Sequence, residues 1–323
     1  MEVPSPSVAS PESSAAAVVP GTAVAPPRRR GLRSGNFLTV LMFVGPSLVL
    51  IGLLVVYPSV RTIYNSMTST NGIGFNVATT FVGFDNYRTM FNDPALGTAI
   101  RNNILWLVIV TPLTVVLGVV FAVLFDKVRY EAIPKSIVFI PMAISATASG
   151  VIWRLMYADD PNTGTINAIL GWFRVAPISF LGDSNFVNWA LFGAQIWAGL
   201  GFAVVVLSAA LKAIPAELTE AARIDGANAL QIFRHITVPM MWPTITVIAT
   251  LTMIGVLKIF DIIYTMTGGG PAGASEVLAT QMYTQSFTNF NQGYGSAIAV
   301  VLLIAVLPIM AINIRRFRTE GQR

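Results

Sequence analysis

Six long apolar runs, separated by shorter polar stretches, dominate the pattern of hydrophobic and polar positions along the chain. They lie within Ser34–Val60, Asn102–Phe125, Ser136–Trp153, Ser184–Leu211, Met240–Tyr264 and Gly295–Ile314. Each run is close to the ~20 residues that an α-helix needs to cross the hydrocarbon core of a bilayer. The pattern therefore predicts an all-α, polytopic membrane protein with six transmembrane helices.

The composition agrees with a membrane protein and excludes several kinds of functional site. Hydrophobic residues make up 54% of the 323 residues and charged residues only 11%, against about 25% charged in soluble domains. The chain has no cysteine, which excludes disulfides and thiolate chemistry, and its single histidine, His235, excludes a histidine-rich metal site. We expect that no metal is bound.

The distribution of basic residues predicts how the helices are oriented. With the N-terminus in the cytoplasm, the cytoplasmic segments hold 14 basic residues: Arg28, Arg29, Arg30, Arg33, Lys127, Arg129, Lys135, Lys212, Arg223, Arg234, Arg315, Arg316, Arg318 and Arg323. The external segments hold five: Arg61, Arg88, Arg101, Arg154 and Arg174. The positive-inside rule therefore predicts that both termini are cytoplasmic. Because the basic residues flank apolar runs, the net charge of +5 indicates contact with membrane lipid and not with nucleic acid.

A charged island, Glu217–Pro239, separates the fourth and fifth apolar runs. Its first part predicts a short helix that begins near Pro215, and Asp225-Gly226 predicts a turn. A second short helix is predicted over Ala227–His235, ended by Pro239. Helices this short are marginal alone in water, so we expect the pair to dock into a groove of a partner protein. An amphipathic loop that lies on the lipid surface is the alternative.

This island resembles the EAA loop of ABC importer permeases, in the form seen in carbohydrate permeases. The matching residues are Glu220, Ala221, Ala222, Asp225, Gly226, Ala227, Phe233, Ile236 and Pro239. The external segment Phe81–Phe91 and the stretch Leu257–Pro271 also resemble sugar permeases. The resemblance implies the ABC type I importer permease fold, with residues 213–239, here called the coupling loop, contacting an ATPase. The matching residues are the implied contact site.

The resemblance also implies a set of partners and a location. They are a second, homologous permease, two ATPase subunits and an extracytoplasmic sugar-binding protein, assembled in the bacterial cell membrane. The substrate is expected to be a sugar or an oligosaccharide. A permease of the same class for an amino acid, phosphate or a polyamine remains the main alternative.

Domain organisation follows from the runs and the resemblance together. Residues 1–35 are rich in Pro, Ser and Ala without periodicity and predict a disordered cytoplasmic tail. Residues 36–97 are expected to hold the first helix and an external segment. Residues 98–316 are expected to form the permease core, and residues 317–323 a cytoplasmic tail.

No P-loop, the nucleotide-binding motif of many ATPases, is present in the chain. A P-loop needs Gly-Lys, whereas Lys127, Lys135, Lys212 and Lys258 follow Asp, Pro, Leu and Leu. We therefore expect this chain to be no enzyme and to bind no cofactor. In the family that it resembles, ATP and Mg²⁺ are bound by the partner ATPase.

Candidate residues of a translocation pathway are Gln195, Trp197, Lys258, Asp261 and Tyr264, because sugars are held by aromatic stacking and by polar groups. Lys258 and Asp261, at spacing i, i+3, predict an ion pair on one face of the fifth helix. The alternative is that both side chains lie at the membrane interface and extend into water. Tyr264, like Trp153, fits an aromatic belt equally well, and Gln195 fits a helix-to-helix hydrogen bond.

Two other classes of membrane protein fit the sequence poorly. An ion-driven secondary transporter needs a coupling-ion site near the midplane, usually between two repeats. The chain has no repeat, and Asp261 is the only carboxylate within an apolar run. An intramembrane enzyme needs a nucleophile, paired acids or metal ligands within the spans, and the chain lacks them.

Overall fold

A computed structural model describes residues 34–71 and 78–320, and these residues are mostly helical, as predicted. The chain divides into two units, Met1–Val56 and Tyr57–Arg323. In the first unit, helix α1 (Ser34–Ile51) is followed by a π-helical turn, Gly52–Val56. The predicted disordered tail lies outside the described residues except for its last two positions, as do residues 321–323 of the predicted C-terminal tail.

The second unit contains the remaining helices and one two-stranded sheet. The helices are α2 (Tyr57–Asn65), α3 (Asp85–Phe91), α4 (Pro94–Asp126), α5 (Ala132–Phe139), α6 (Ala146–Met156), α7 (Thr165–Trp172), α8 (Val187–Lys212), α9 (Ala216–Ile224), α10 (Ala229–Ile232), α11 (Val238–Leu257), α12 (Asp261–Met266), α13 (Leu278–Tyr283) and α14 (Gln292–Glu320). Strands β1 (Thr68–Asn71) and β2 (Ala78–Phe81) pair in antiparallel register.

Five stretches of the described residues are long and apolar enough to cross a membrane. They are Leu41–Asn65, Pro94–Asp126, Val187–Lys212, Ala229–Leu257 and Gln292–Ala311. A sixth span exists if the bent pair formed by Ala132–Ala143 and Ala146–Met156 crosses as one unit. The all-α fold is therefore confirmed, and the predicted six spans are reached only by counting this pair.

The prediction of one straight third helix over Ser136–Trp153 is wrong. Helix α5 passes into a 3-10 turn, Ile140–Ala143, and α6 then leaves at an angle of 103°. Pro141 lies in this turn and has no N–H to continue an α-helix. Ser145 has an extended backbone, and its hydroxyl accepts a hydrogen bond from the Ala148 N–H at 3.2 Å. The serine therefore caps a new helix.

The centre of the second unit is the packing of α4 against α8. A Cβ added to Gly118 would lie 2.9 Å from the Ala203 Cβ, so only glycine lets the two helices approach this closely. Gly201 of α8 in turn lies against the backbone of Phe139 at the end of α5. Small residues at helix contacts are the expected source of tight packing in a bilayer, where apolar burial alone gives little advantage.

The external segment, which was expected to follow the first helix within residues 36–97, folds back onto the start of α14. The Asn86 amide donates hydrogen bonds to the carbonyls of Ser66 at 2.9 Å and Thr68 at 2.8 Å. The Ser66 hydroxyl also pairs with the Tyr87 hydroxyl at 2.7 Å. At Gly293 a Cβ would collide with the Thr68 carbonyl. The segment is therefore packed on the helices and does not extend freely.

Two predicted helix ends are also wrong. The first helix was expected within Ser34–Val60, but helical residues continue through α2 to Asn65. The fifth was expected to continue to Tyr264, but α11 ends at Leu257 and α12 begins only at Asp261. This break places Lys258 between two helices.

Candidate functional site

The coupling loop begins with a short, regularly terminated helix. Glu217 lies in the first turn of α9 and Arg223 in its last turn, and both charges interact favourably with the helix dipole. At the C-terminus the Ala227 N–H donates to the Ala222 carbonyl at 2.9 Å, and the Gly226 N–H donates to the Arg223 carbonyl at 3.1 Å. This is a Schellman motif, and Gly226 has the positive φ of +85° that it requires. The predicted turn therefore forms.

The second half of the coupling loop differs from the short helix that was predicted over Ala227–His235. Asn228 and Gln231 form a capping box at the start of α10, with hydrogen bonds of 2.9 and 2.8 Å between side chains and backbone N–H groups. The helix was expected to end at Pro239, but α10 continues through a π-helical turn, Phe233–Thr237, into α11. Pro239 then lies in the first turn of α11, directly after the π-helical turn, and does not end the helix.

Apolar side chains of the coupling loop face away from the rest of the chain. Ile224 is 87% exposed and Leu230 is 72% exposed, and Leu218 is also exposed. Phe233 is the opposite case, because it packs inward against the cluster around Met241. Sequence reasoning missed Ile224, although its position directly before the Asp225-Gly226 turn is a usable signal.

The other predicted contact residues of the loop lie at its surface or just beneath it. Glu220, Ala221, Asp225, Gly226 and Pro239 are exposed, and Ala222, Ala227 and Phe233 are partly buried. A cavity of about 1100 Å³ separates α9 and α10 from the ends of α4 and α8. Apolar side chains and the charged residues Asp126, Lys127, Lys212 and Arg223 line this cavity. The loop is therefore joined to the helices mainly through its two ends.

An ionic cluster lies at the end of α8 that leads into the coupling loop. The Glu131 carboxylate accepts a hydrogen bond from Lys135 Nζ at 2.6 Å through Oε2, and one from Lys212 Nζ through Oε1. These hydrogen bonds, first that from Lys135 and then that from Lys212, lower the pKa of the Glu131 carboxyl below its ordinary value. Glu131 is therefore ionised at neutral pH.

The structure places the candidate pathway residue Trp197 in an aromatic cluster with Trp153 and Tyr157. Trp197 of α8 contacts Trp153 of α6 edge to face, with 5.6 Å between ring centroids, and Trp153 lies 5.1 Å from Tyr157. Gln195 lies two residues before Trp197 and is partly exposed. Within the part of the chain that the structure describes, the Gln195 amide makes no hydrogen bond, so the alternative of a helix-to-helix hydrogen bond is not formed there.

The predicted ion pair between Lys258 and Asp261 is not formed. Among residues 41–69 and 79–311, the part of the chain whose side chains the structure describes, the ion pairs are Arg88–Asp85, Lys135–Glu131 and Lys212–Glu131. Lys258 and Asp261 are both exposed. The spacing i, i+3 brings side chains together only on a continuous helix, and the chain is not helical from Lys258 to Phe260.

Tyr264 belongs to a second aromatic cluster at this break. Its ring stacks on Phe260 at 5.0 Å and meets Tyr283 edge to face at 5.0 Å, and Phe287 lies 5.1 Å beyond Tyr283. Sequence reasoning missed Phe260, Tyr283 and Phe287, although the i, i+4 spacing of each pair is visible. The two clusters are on helices that touch, because Gly150 of α6 packs against Thr265 of α12.

Asparagine side chains hold the glycine-rich loop between α12 and α13. The Asn102 amide donates to the carbonyls of Ala274 at 2.8 Å and Glu276 at 2.7 Å, and Asn188 donates to Ala274 at 3.1 Å. The Glu276 side chain is half-buried beside this loop. Burial, and after it the negative charge of Asp93, raise the pKa of the Glu276 carboxyl. These asparagines lie at or near the starts of two apolar runs, and no sequence motif singled them out.

Comparison with known proteins identifies relatives of the whole chain. The profile of the family described as binding-protein-dependent transport system inner membrane component matches residues 17–316. The osmoprotective compounds uptake permease protein GgtC of Synechocystis sp. is 46% identical over 86% of this chain and 99% of its own length. The alpha-glucoside transport system permease protein AglF of Rhizobium meliloti is 40% identical over 90% of this chain and 86% of its own.

A solved structure supports the same fold. The bacterial alginate ABC transporter, in complex with an alginate pentasaccharide-bound periplasmic protein, contains a chain that superposes with a TM-score of 0.75. That chain is 21% identical, and the match covers 86% of this chain and 93% of the other. With a coupling loop, apolar spans and a family match over most of its length, this chain belongs to the inner membrane components of binding-protein-dependent transport systems, the permease subunits of ABC importers.

Proposed function

We propose that this chain carries a sugar or glycoside across the bacterial inner membrane as one of two permeases in an ATP-driven importer. Its relatives are named for alpha-glucosides and osmoprotective compounds. The periplasmic protein in the structural neighbour holds an alginate pentasaccharide. In the proposed assembly, an extracytoplasmic binding protein delivers the sugar, and two ATPase subunits bind ATP and Mg²⁺. This chain binds no cofactor itself.

The observation that carries the coupling role is the exposure of Ile224. Its apolar side chain is 87% exposed at the end of a helix that a Schellman motif terminates. Arg223 and Asp225 flank it and are also exposed. An apolar residue at the centre of a polar rim is typical of a protein contact site. We infer that Ile224 enters a groove of the ATPase, together with the small residues Ala221 and Ala222.

The orientation follows from the distribution of charge. Most basic residues lie on the side of the coupling loop, so both termini and the loop are proposed to be cytoplasmic, where ATP is available. The external segment and the glycine-rich loop between α12 and α13 then face the binding protein.

The proposed pathway runs beside the two aromatic clusters. Trp197 and Tyr264 offer ring faces to a sugar, and Gln195, Lys258 and Asp261 offer polar groups that the described residues leave without an ion pair or hydrogen bond. In this arrangement the sugar replaces the missing partners of these side chains.

The coupling role is tested by Ile224→Asp in the complete transporter in nanodiscs. We expect normal membrane insertion, because Ile224 lies outside the apolar spans, and loss of ATPase attachment, because a groove for an aliphatic side chain disfavours an unpaired carboxylate. Ile224→Val is the matched control and should behave as wild type. Wild-type attachment and wild-type stimulation of ATP hydrolysis in Ile224→Asp would refute the docking role.

A second pair of variants tests the shape of the loop. Gly226→Val places a branched side chain at positive φ and should distort the loop, whereas Gly226→Asn should retain most coupling, since asparagine tolerates this conformation. Gly83→Val is the control, because Gly83 also has positive φ and open space around it but lies outside the loop. Equal uptake in all three variants would contradict a shape-dependent contact.

The substrate class is tested with the extracytoplasmic binding protein of the proposed assembly. Titration with maltose, trehalose, sucrose, phosphate and putrescine should show binding of a sugar only. Uptake by the reconstituted transporter should follow the same order. Tight binding of phosphate or putrescine in place of a sugar would overturn the assignment of substrate while leaving the coupling role intact.

A further inference from the structure

Glu131 joins two helices that are far apart in the sequence. It lies in the connection between α4 and α5, directly before the first residue of α5. One carboxylate oxygen contacts Lys135, in α5, and the other contacts Lys212, the last residue of α8. A single side chain therefore ties α5 to the end of α8.

The cluster is shielded from water more than the third ion pair of the described residues. The Lys135 side chain is 16% exposed, that of Glu131 is 31% exposed and that of Lys212 is 52% exposed, whereas the side chains of Arg88 and Asp85 are 85% and 69% exposed. Fully exposed pairs contribute little, but a partly buried lysine that loses its carboxylate is left without a counter-charge. The Glu131 cluster is thus a stronger connection than a surface pair.

Lys212 places this connection directly beside the coupling loop. Only Ala213, Ile214 and Pro215 separate Lys212 from α9. On the other side, α5 leads directly into the 103° bend and then into α6. Because a cavity separates α9 from the end of α4, a displacement of α9 can reach the helices through the end of α8 and, by way of α10, through the start of α11.

We propose that Glu131 is a positioning residue that makes α5 move with the coupling loop, so that ATPase-driven displacement of α9 reaches the bent pair α5–α6. The inference rests on the proposed function, because it assumes that the coupling loop docks on the ATPase. It adds a residue that lies outside the loop and outside the resemblance to the EAA motif. Glu131 acts here through its charge and its two partners.

The direct test measures whether the two elements move together. Because the chain has no cysteine, spin labels attached through Glu217→Cys and Ser136→Cys report the distance between α9 and α5 in the complete transporter. In the wild type this distance should stay constant when ATP and vanadate are added. With Glu131→Gln it should shift and its distribution should widen. A constant distance in Glu131→Gln would overturn the proposal.

A functional test uses the same variants without spin labels. Glu131→Gln should leave assembly and basal ATP hydrolysis unchanged and reduce stimulation by the sugar-loaded binding protein about tenfold, the effect of losing a close charge pair. Inverting all three charges with Glu131→Lys, Lys135→Glu and Lys212→Glu should restore stimulation. Asp85→Asn, which removes the exposed pair, is the control and should have no effect.

The outcomes separate this inference from the proposed function. Full stimulation in Glu131→Gln, or failure of the charge inversion to restore it, would overturn the role of Glu131. If Ile224→Asp abolishes ATPase attachment in the same preparation, the docking role stands regardless. If Ile224→Asp is normal, the docking role fails, and this inference fails with it.

Discussion

At the scale of single residues, the close helix contacts of this permease depend on glycines, which have no side chain to hold the helices apart. Gly118, Gly150 and Gly201 each lie against another helix, and an added Cβ would come within 3.0 Å of a neighbouring atom at each position. Gly199, two residues before Gly201, has no such neighbour within 4 Å. The two positions of α8 therefore differ only in what they face, and this difference can be tested.

Gly201→Val should destabilise the chain by about 1–3 kcal/mol, because the atoms it meets are backbone atoms of residues 138 and 139 that cannot rotate away. Gly199→Val should have a much smaller effect. The measurement is the midpoint temperature of the detergent-solubilised protein, followed by fluorescence-detected size exclusion. Equal midpoints for the two variants would contradict the close contact between α8 and α5.

We expect the stability of the folded chain to depend on pH through Glu276. Its pKa is raised by burial and then by Asp93, so the folded state disfavours the ionised form. Stability should therefore fall as pH rises from the ordinary glutamate value, about 4.3, through the raised one. Glu276→Gln should raise the midpoint temperature at pH 8 and not at pH 4. Glu217→Gln, which changes an exposed carboxyl, is the control, and a gain independent of pH would argue against this role.

At the scale of elements, the sequence predicted the spans well and their interruptions poorly. Apolar composition over about 20 residues decides whether a segment enters the bilayer, and composition can be read locally. The bend at Ile140–Ser145 depends also on the contact of α5 with Gly201, which is remote in sequence. Pro239 was wrongly predicted to end a helix, because the π-helical turn before it changes the backbone hydrogen-bonding pattern. The spacing of apolar residues in the sequence does not predict such a turn.

The same limit applies to the candidate site. The Asp225-Gly226 turn was predictable because glycine at a helix end has a local meaning. The ion pair of Lys258 and Asp261 was predicted wrongly because it assumed an unbroken helix. The aromatic cluster of Trp153 and Trp197 joins two helices, so the sequence supplied its members but not their contact.

The external segment offers an element-scale prediction. Asn86→Leu removes the donor shared by the Ser66 and Thr68 carbonyls, and β1 should then separate from α14. We expect amide exchange of residues 66–69 to become at least about tenfold faster, given about 1–3 kcal/mol for each carbonyl left unpaired. Asn92→Leu is the control, because Asn92 is exposed and bonds only within its own helix. Unchanged exchange in Asn86→Leu would show that other contacts hold the segment.

At the scale of the whole molecule, the proposed orientation rests on charge alone. It can be tested because the chain has no cysteine of its own. In intact spheroplasts, Asn92→Cys and Asn289→Cys should react with an impermeant maleimide, and Glu217→Cys should react only after permeabilisation. All three positions are exposed. Reaction of Glu217→Cys in intact spheroplasts would reverse the orientation and remove the coupling loop from the ATP side.

The exposure of Ile224 also bears on how the cell matches the amounts of the subunits. An inserted chain that has not met its ATPase displays this isoleucine, with Leu230, in the aqueous phase, and exposed aliphatic side chains are what chaperones and quality-control proteases recognise. The half-life of the chain should therefore be short when it is synthesised without its partners and should lengthen on assembly. The surface that couples transport to ATP would then also limit the accumulation of orphan subunits.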